Sequence, residues 1–324
     1  MKILIARFSS IGDIVLTTPV VRCLKTQFPG YQLHYVTKRQ FQGVLQTNPY
    51  IDKIYYLDND LHDLIYELKT EKYDFMIDLH NNIRTKMIWS SLKVKRYAFD
   101  KINFEKWLMT AFKIDIMPYV HIVDRYMATL KKFGVVNDGK GLDFFIDTTD
   151  TIEGFRLPSD YVVFAIGGQH ATKRLPLRKM SELINLIKSN VVLLGGKDDF
   201  LTGELLERNH SNTINLCGKA TINQSAMVID GAKFVYTHDT GMMHIAAALE
   251  KPIVSIWGNT TPRFGMYPYL SNEQSIESSV MLEVNGLSCR PCSKIGFDKC
   301  PKGHFKCMEE MDFSILNSPD KKFW

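Results

Sequence analysis

A chain of 324 residues that is 45% hydrophobic and 23% charged has room for two domains with cores of their own, and its ordinary composition excludes a disordered polymer. A net charge of +5 suits an anionic ligand or surface but is too small for a dedicated nucleic-acid binder, and no basic repeat, zinc-finger helix or aromatic RNA motif points to nucleic acid. The opening Met1-Lys-Ile-Leu-Ile-Ala-Arg7 is too short an apolar run for a signal peptide, and nowhere do 18 apolar residues occur together, so the expected location is cytoplasmic with any membrane contact peripheral.

Residues 2 to 6 are nearly all apolar and read as a parallel strand buried on both faces. Ser9-Ser-Ile-Gly-Asp13 follows as a turn, and apolar residues at 14, 21, 24 and 28 then recur at helical spacing. Thr18-Pro19 reads as a kink inside a helix begun near Gly12, in preference to a cap and first helical residue. Strand-like runs at 32–36, 53–57, 74–79 and 94–98 alternate with helix-compatible segments at 39–47, 60–71 and 84–92, the pattern of a doubly wound α/β domain. An irregular stretch, 99–120, precedes a helix expected at 121–133, and Asn137-Asp-Gly-Lys-Gly141 with the polar 147–154 reads as a linker.

The pattern restarts at Tyr161-Val-Val-Phe-Ala-Ile166 and continues through helices near 177–189, 199–209 and 222–231, with strands at 191–194, near 213–216 and at 252–258. The expected architecture is therefore α/β, with two Rossmann-like doubly wound domains, 1–155 and 156–324, facing each other across a cleft. Ligands of open α/β sheets bind beyond the C-terminal strand ends, so the loops after residues 6, 79, 166, 238 and 257 should line that cleft.

Residues 233 to 249 read as strand, tight turn and helix, and the free N–H groups of such a helix start suit a phosphate or pyrophosphate; simple capping by Asp239 or Thr240 is the alternative. Asp13 is either a helix cap or a general base facing the cleft, with desolvation and the helix end pulling its pKa in opposite directions. In the loop Gly167 to Pro176, Lys173 is placed to neutralise a diphosphate and Thr172 to donate to it, or both belong to a solvated loop. Asp58-Asn59-Asp60 has the form of a metal-binding Asp-x-Asp but precedes a helix and reads as capping.

Cys289, Cys292, Cys300 and Cys307, with His304 among them, are the residue types of a structural zinc site, although their gaps are not those of a standard finger; a reduced cysteine-rich loop is the alternative. Between Arg84 and Lys106 seven basic residues face two acidic ones, with Phe99 and Phe104 interleaved and Trp107 just beyond. Such a run is either a solvated face or one that meets a phosphorylated amphiphile at a membrane surface.

Taken together, Ser9-Ser-Ile-Gly-Asp13 with Thr17-Thr-Pro19, Asp78-Leu-His-Asn-Asn-Ile-Arg84, Lys173-Arg-Leu-Pro176, Asp239-Thr-Gly-Met-Met-His244 and Gly258-Asn-Thr-Thr-Pro262 resemble the heptosyltransferase-type glycosyltransferases of family 9. The resemblance implies a GT-B fold, with an N-terminal acceptor domain and a C-terminal domain for the nucleotide-sugar. It implies inverting transfer from an ADP-heptose-like donor to a lipid-linked, anionic lipopolysaccharide or lipooligosaccharide core, at the inner face of the cytoplasmic membrane and with no cofactor required for catalysis. Carried onto this chain, Asp13 is the general base, and Ser10, Gly12, His80, Asn81 and Arg84 lie on the acceptor side. Asp239 contacts the donor sugar; Thr240, Gly241 and His244 hold the diphosphate, with Thr172 beside them; Lys173 offsets leaving-group charge. Gln224 stands where relatives commonly have Glu near the ribose, Leu175 where Trp is frequent, and the cysteine-rich tail is a departure from the better-known members. Two other readings fit the same scaffold: a nucleotide-sugar epimerase or hydrolase, and a non-catalytic nucleotide-sugar or partner-binding module.

Overall fold

The computed structural model describes residues 1–58 and 60–317. It divides into two compact units, residues 1–101 with 120–145, and residues 102–119 with those from 146 onward.

In the first unit five parallel strands, β1 (Lys2–Ala6), β2 (Gln32–Lys38), β3 (Lys53–Leu57), β4 (Phe75–Asp78) and β5 (Lys95–Ala98), lie in the order β3-β2-β1-β4-β5. Ile3, Leu4, Ile5 and Ala6 of the central strand are wholly buried, as expected of a strand covered by helices on both faces. On one face, Leu64, Ile65 and Leu68 of helix Leu61–Thr70 and Ile88 of helix Ile83–Leu92 close over Leu4, Ala6, Val36 and Met76.

The helix expected to run kinked from Gly12 is instead two helices, Ile11–Val15 and Thr18–Gln27. Thr17 occupies the cap position of the second and Pro19 its first turn, where the missing N–H costs nothing; the Thr17 hydroxyl donates back to Ile14 O (2.6 Å). Residues 39–44 form a 3-10 helix, and the helix expected at 121–133 is α-helical over Ile122–Met127 and 3-10 over Ala128–Phe133. Asp60 caps helix Leu61–Thr70 by accepting from His62 N (2.6 Å), and Asp58 pairs with Arg39 (2.7 Å), so both carboxylates of the Asp-x-Asp motif have structural partners; Asn59 lies outside the described residues.

In the second unit six parallel strands, β6 (Tyr161–Ala165), β7 (Asn190–Leu194), β8 (Thr213–Asn215), β9 (Val235–His238), β10 (Ile253–Trp257) and β11 (Val280–Glu283), lie in the order β11-β10-β9-β6-β7-β8. β11 escaped the sequence reading because only Val280 and Leu282 face the core of this edge strand, leaving no continuous apolar run. The stretch 99–120 is not wholly irregular: Asn103–Phe112 is a helix, and Ile102 and Met117 on either side of it bury against Phe264.

Candidate active site

Each sheet reverses its strand order between two adjacent strands, β1 and β4 in the first unit and β6 and β9 in the second. In open α/β sheets the carboxyl end of the strands at such a reversal is where ligands bind. Of the polar residues singled out in the sequence, Asp13, His80 and Asn81 follow the first pair of strands, and Lys173, Asp239 and Thr240 follow the second.

At the first, Asp13 is the third residue of helix Ile11–Val15. Its Oδ2 accepts from Ser10 N (3.1 Å) and Ser10 Oγ (2.8 Å), and its Oδ1 pairs with Arg7 Nη2 at 2.7 Å. Arg7 is buried and fixed by donating to Ser9 O (2.7 Å), Leu79 O (2.7 Å) and Tyr126 Oη (3.1 Å). Burial by itself raises the Asp13 pKa, but the Arg7 charge and the Ser10 hydrogen bonds outweigh it and hold the carboxyl below its ordinary range. Asp13 thus meets the capping reading by closing a capping box with Ser10, and its carboxylate is held ionised.

Gly12 is buried in the same turn, whereas Ser10 is exposed. From the β4 loop, His80 Nδ1 accepts from Phe8 N (3.3 Å), and burial together with Arg7 and Lys101 pushes its pKa down to about 4. The imidazole is therefore neutral with its proton on Nε2. Asn81 is turned inward, accepting from Arg96 Nη2 (2.6 Å) and donating to Phe99 O (3.1 Å), and Asp78 beneath it binds Arg96 and the backbone N–H groups of His80 and Asn81. Arg84, in the first turn of the next helix, is exposed.

At the second place, Lys173 Nζ stands 2.6 Å from Asp239 Oδ2, and Thr260 Oγ1 donates to the same oxygen (2.8 Å). Thr240 sits at the cap of helix Gly241–Ala248 without its hydroxyl bonding the helix, while Asp239 Oδ2 is engaged by Lys173 and Thr260. The simple capping alternative therefore fails. The first helical turn presents N–H groups without a side-chain cap beside a lysine ammonium, an arrangement suited to a phosphate or diphosphate. His244, one turn along, is buried.

Two expected donor residues are engaged within the protein. Thr172 is 2% exposed; its backbone N–H and hydroxyl both donate to Phe297 O at 3.1 Å, and its hydroxyl oxygen accepts from Phe297 N at 2.8 Å. Gln224 accepts from Thr221 N (3.0 Å) to cap its own helix and donates to Asp150 Oδ1 (3.2 Å) and Thr151 O (3.1 Å).

The cysteine-rich segment clasps the loops at this second place. Cys292 N donates to Asn259 O (2.9 Å), and Arg290 reaches Gly258 O (2.6 Å), Thr260 O (2.8 Å) and Glu283 Oε2 (2.6 Å). Gly258 is packed so closely that a Cβ there would stand 2.8 Å from Thr172 O and 2.5 Å from Met308 Cε. Cys289, Cys292, Cys300 and Cys307 carry free thiols; burial, then the neighbouring thiols, pushes Cys307 up to about 12. Among the described residues no three His, Cys, Asp or Glu side chains are arranged to hold a metal ion.

Sequence reasoning did not find Arg7, Tyr126, Thr260 or Arg290. Arg7 carried a signal, a cation one residue beyond an otherwise apolar buried strand; Tyr126 and Arg290 reach their partners only through tertiary contacts with no fixed spacing.

Two Rossmann-like units with polar loops at their strand-order reversals define a GT-B fold. The chain shares it with the crystal structure of a family 9 glycosyl transferase from Veillonella parvula (TM-score 0.71, 21% identity, 87% of this chain and 85% of that one). It shares it also with the ADP-heptose lps heptosyltransferase II of E. coli (TM-score 0.69, 20% identity, 96% of this chain and 98% of that one). The profile of glycosyltransferase family 9 (heptosyltransferase) matches residues 61–294, more than half of the chain, and the protein belongs to that family. Among curated relatives, lipooligosaccharide heptosyltransferase 2 of Haemophilus influenzae is 24% identical over 308 residues, spanning 85% of this chain and 88% of its own length.

Proposed function

We propose that the protein is an inverting heptosyltransferase that takes heptose from an ADP-heptose-like donor and adds it to the lipid-linked, anionic core of a lipopolysaccharide or lipooligosaccharide, working in the cytoplasm. The observation that carries this reading is the Lys173–Asp239 pair beside the uncapped start of helix Gly241–Ala248, at the strand reversal of the second unit.

Displacement at an anomeric carbon puts negative charge on the departing diphosphate. The N–H groups at Gly241 and the Lys173 ammonium stabilise that charge, the task a divalent cation performs in other sugar transferases. In this structure Lys173 is held by Asp239. A bound donor exchanges partners: the ammonium turns to the diphosphate and the Asp239 carboxylate accepts from sugar hydroxyls. Asp13, kept ionised by Arg7, removes the proton from the acceptor hydroxyl as the new bond forms. Neutral His80 offers an Nε2–H to an acceptor oxygen, and Arg84 offers charge to an acceptor phosphate. Since the Gln224 amide is bound to Asp150, Thr151 and Thr221, ribose recognition falls to other groups or needs Gln224 to leave those partners.

A calorimetric screen of nucleoside diphosphates tests the donor half: preference for ADP over UDP and GDP is the expected result, and preference for UDP moves the donor elsewhere. Steady sugar release from the donor without acceptor, at transfer-like rates, would instead favour a hydrolase or epimerase. For the tail, a structural zinc at Cys289, Cys292, Cys300 and Cys307 requires the thiols to draw together from the arrangement seen here. Elemental analysis of protein purified without added metal decides it: one zinc per chain would establish the site, and a value near zero in folded, reduced protein would leave the reduced cysteine-rich loop.

A further inference from the structure

The helix Ile83–Leu92 leaves the β4 loop at the first unit's strand reversal, directly after His80 and Asn81. Only Thr85 and Ile88 of this helix are buried, and its outer side is not the polar surface of an ordinary amphipathic helix. Ile83 is 77% exposed and Met87, one turn on, is 39% exposed, with Ser90 continuing the same stripe. Lys86 and Lys93, seven residues apart, run along one edge of the stripe and Arg84 along the other, since residues three, four and seven apart share a helix face.

Charge on this face is one-signed. Residues 79 to 99 contain five basic side chains and no acidic one. Arg96 is taken by the buried Asp78 and stacks over Trp89. Arg84, Lys86, Lys93 and Lys95 are all exposed and none has an ion pair among the described residues. The basic and aromatic run read from the sequence as one surface is therefore smaller than it looked: Arg96 is internal, Phe99 is buried, and Phe104 and Trp107 belong to the second unit.

We propose that this helix and the Lys93–Lys95 turn form a docking face for an anionic bilayer, with Ile83 and Met87 entering the headgroup layer and Lys86, Lys93 and Lys95 pairing with lipid phosphates. A protein partner would be expected to cover the apolar stripe with a matching groove, but an apolar centre flanked by unpaired cations is the pattern of helices lying in a membrane interface. Its position next to the acceptor loop gives the docking a purpose, bringing His80 and Arg84 to the plane where a lipid-linked acceptor lies; in that respect the inference rests on the proposed acceptor.

Flotation with vesicles that contain no acceptor separates the two. The full chain should float with phosphatidylcholine vesicles containing phosphatidylglycerol, lose that association as salt is raised, and stay behind with phosphatidylcholine alone. The Lys86→Gln/Lys93→Gln/Lys95→Gln variant should partition roughly a hundredfold more weakly. It should keep its circular dichroism spectrum, its ADP affinity and its turnover of a delipidated, water-soluble acceptor. Ile83→Ser/Met87→Ser should weaken vesicle binding without changing its salt dependence. No flotation of the full chain with either vesicle, equal flotation with both, or undiminished binding by the triple variant overturns the proposal, whatever sugar the enzyme transfers.

Discussion

Arg7 Nη2 lies 2.7 Å from Asp13 Oδ1, and this contact outweighs the upward pull of burial and holds the carboxyl below its ordinary pKa range. A carboxylate so held is a weaker base in solution terms, yet it is in the correct protonation state throughout the neutral range. Replacing Asp13 with Asn should lower kcat by about two to four orders of magnitude while leaving ADP affinity unchanged. Retained turnover removes Asp13 as the base.

Arg7 can be separated from Asp13 by the pH profile. The folded pKa of Asp13 is depressed chiefly by the Arg7 charge, so the acidic limb of kcat/KM should move to higher pH in Arg7→Met. Arg7→Lys keeps the charge and should restore part of the shift. The sign for stability is the same: the ion pair stabilises above the unfolded carboxyl pKa and is lost as pH falls through the folded one. A profile that does not move in Arg7→Met argues that Arg7 acts only on packing.

Lys173 and Asp239 touch each other but serve different parts of the proposed donor. Lys173→Ala should weaken ADP binding by about tenfold to a hundredfold, read by calorimetry, because it removes a charge-assisted contact to phosphate. Asp239→Asn should leave ADP binding nearly intact and weaken the nucleotide-sugar. Equal losses for ADP and ADP-sugar in both variants would show that the pair acts as a single structural unit.

Arg290 is nearly buried and holds the carbonyls of Gly258, Thr260 and Val284 and the Glu283 carboxylate. Arg290→Ala leaves these acceptors without their donor and should cost about 2–3 kcal/mol in urea unfolding. Nucleotide-sugar affinity should fall with it, measured by calorimetry, since Thr260, whose carbonyl Arg290 holds, also binds Asp239.

His80 and His238 both lie near pKa 4, each pushed down first by burial, against an unfolded value of 6.5. His238 Nε2 accepts from Leu175 N (3.0 Å), which a protonated ring could not do. The unfolded chain therefore binds more protons than the native one between these two values, and stability should fall as pH drops from about 6.5 toward 4. Equilibrium unfolding across that interval measures the slope, and His238→Gln should flatten it. An unchanged slope in that variant assigns the acid sensitivity to other groups.

The strands of both sheets were legible because burial on two faces demands unbroken apolar runs such as Lys2–Ala6 and Tyr161–Ala165; the edge strand Val280–Glu283 makes no such demand and was missed. Asp13, Lys173 and Asp239 could be singled out because each lies in the loop or first helical turn that follows the carboxyl end of a strand. The roles of Thr172 and Gln224 were not: whether a side chain faces a ligand or its own backbone depends on partners 125 and 74 residues distant, Phe297 and Asp150. Thr18-Pro19 was misjudged for a local reason, because a proline suits a first helical turn as readily as a kink.

The clasp from Arg290, Cys292 and Phe297 onto residues 172 and 258–260 also sets an order of events during synthesis. A nascent chain that has already emerged through Trp257 holds five of its second sheet's six strands, with Lys173 and Asp239 in hand. It still lacks the segment that fixes the loops around them, so its donor site is unfinished. The segment from Arg290 to Phe297 is thus made after every loop it positions, and the donor site is finished only once that segment is in place.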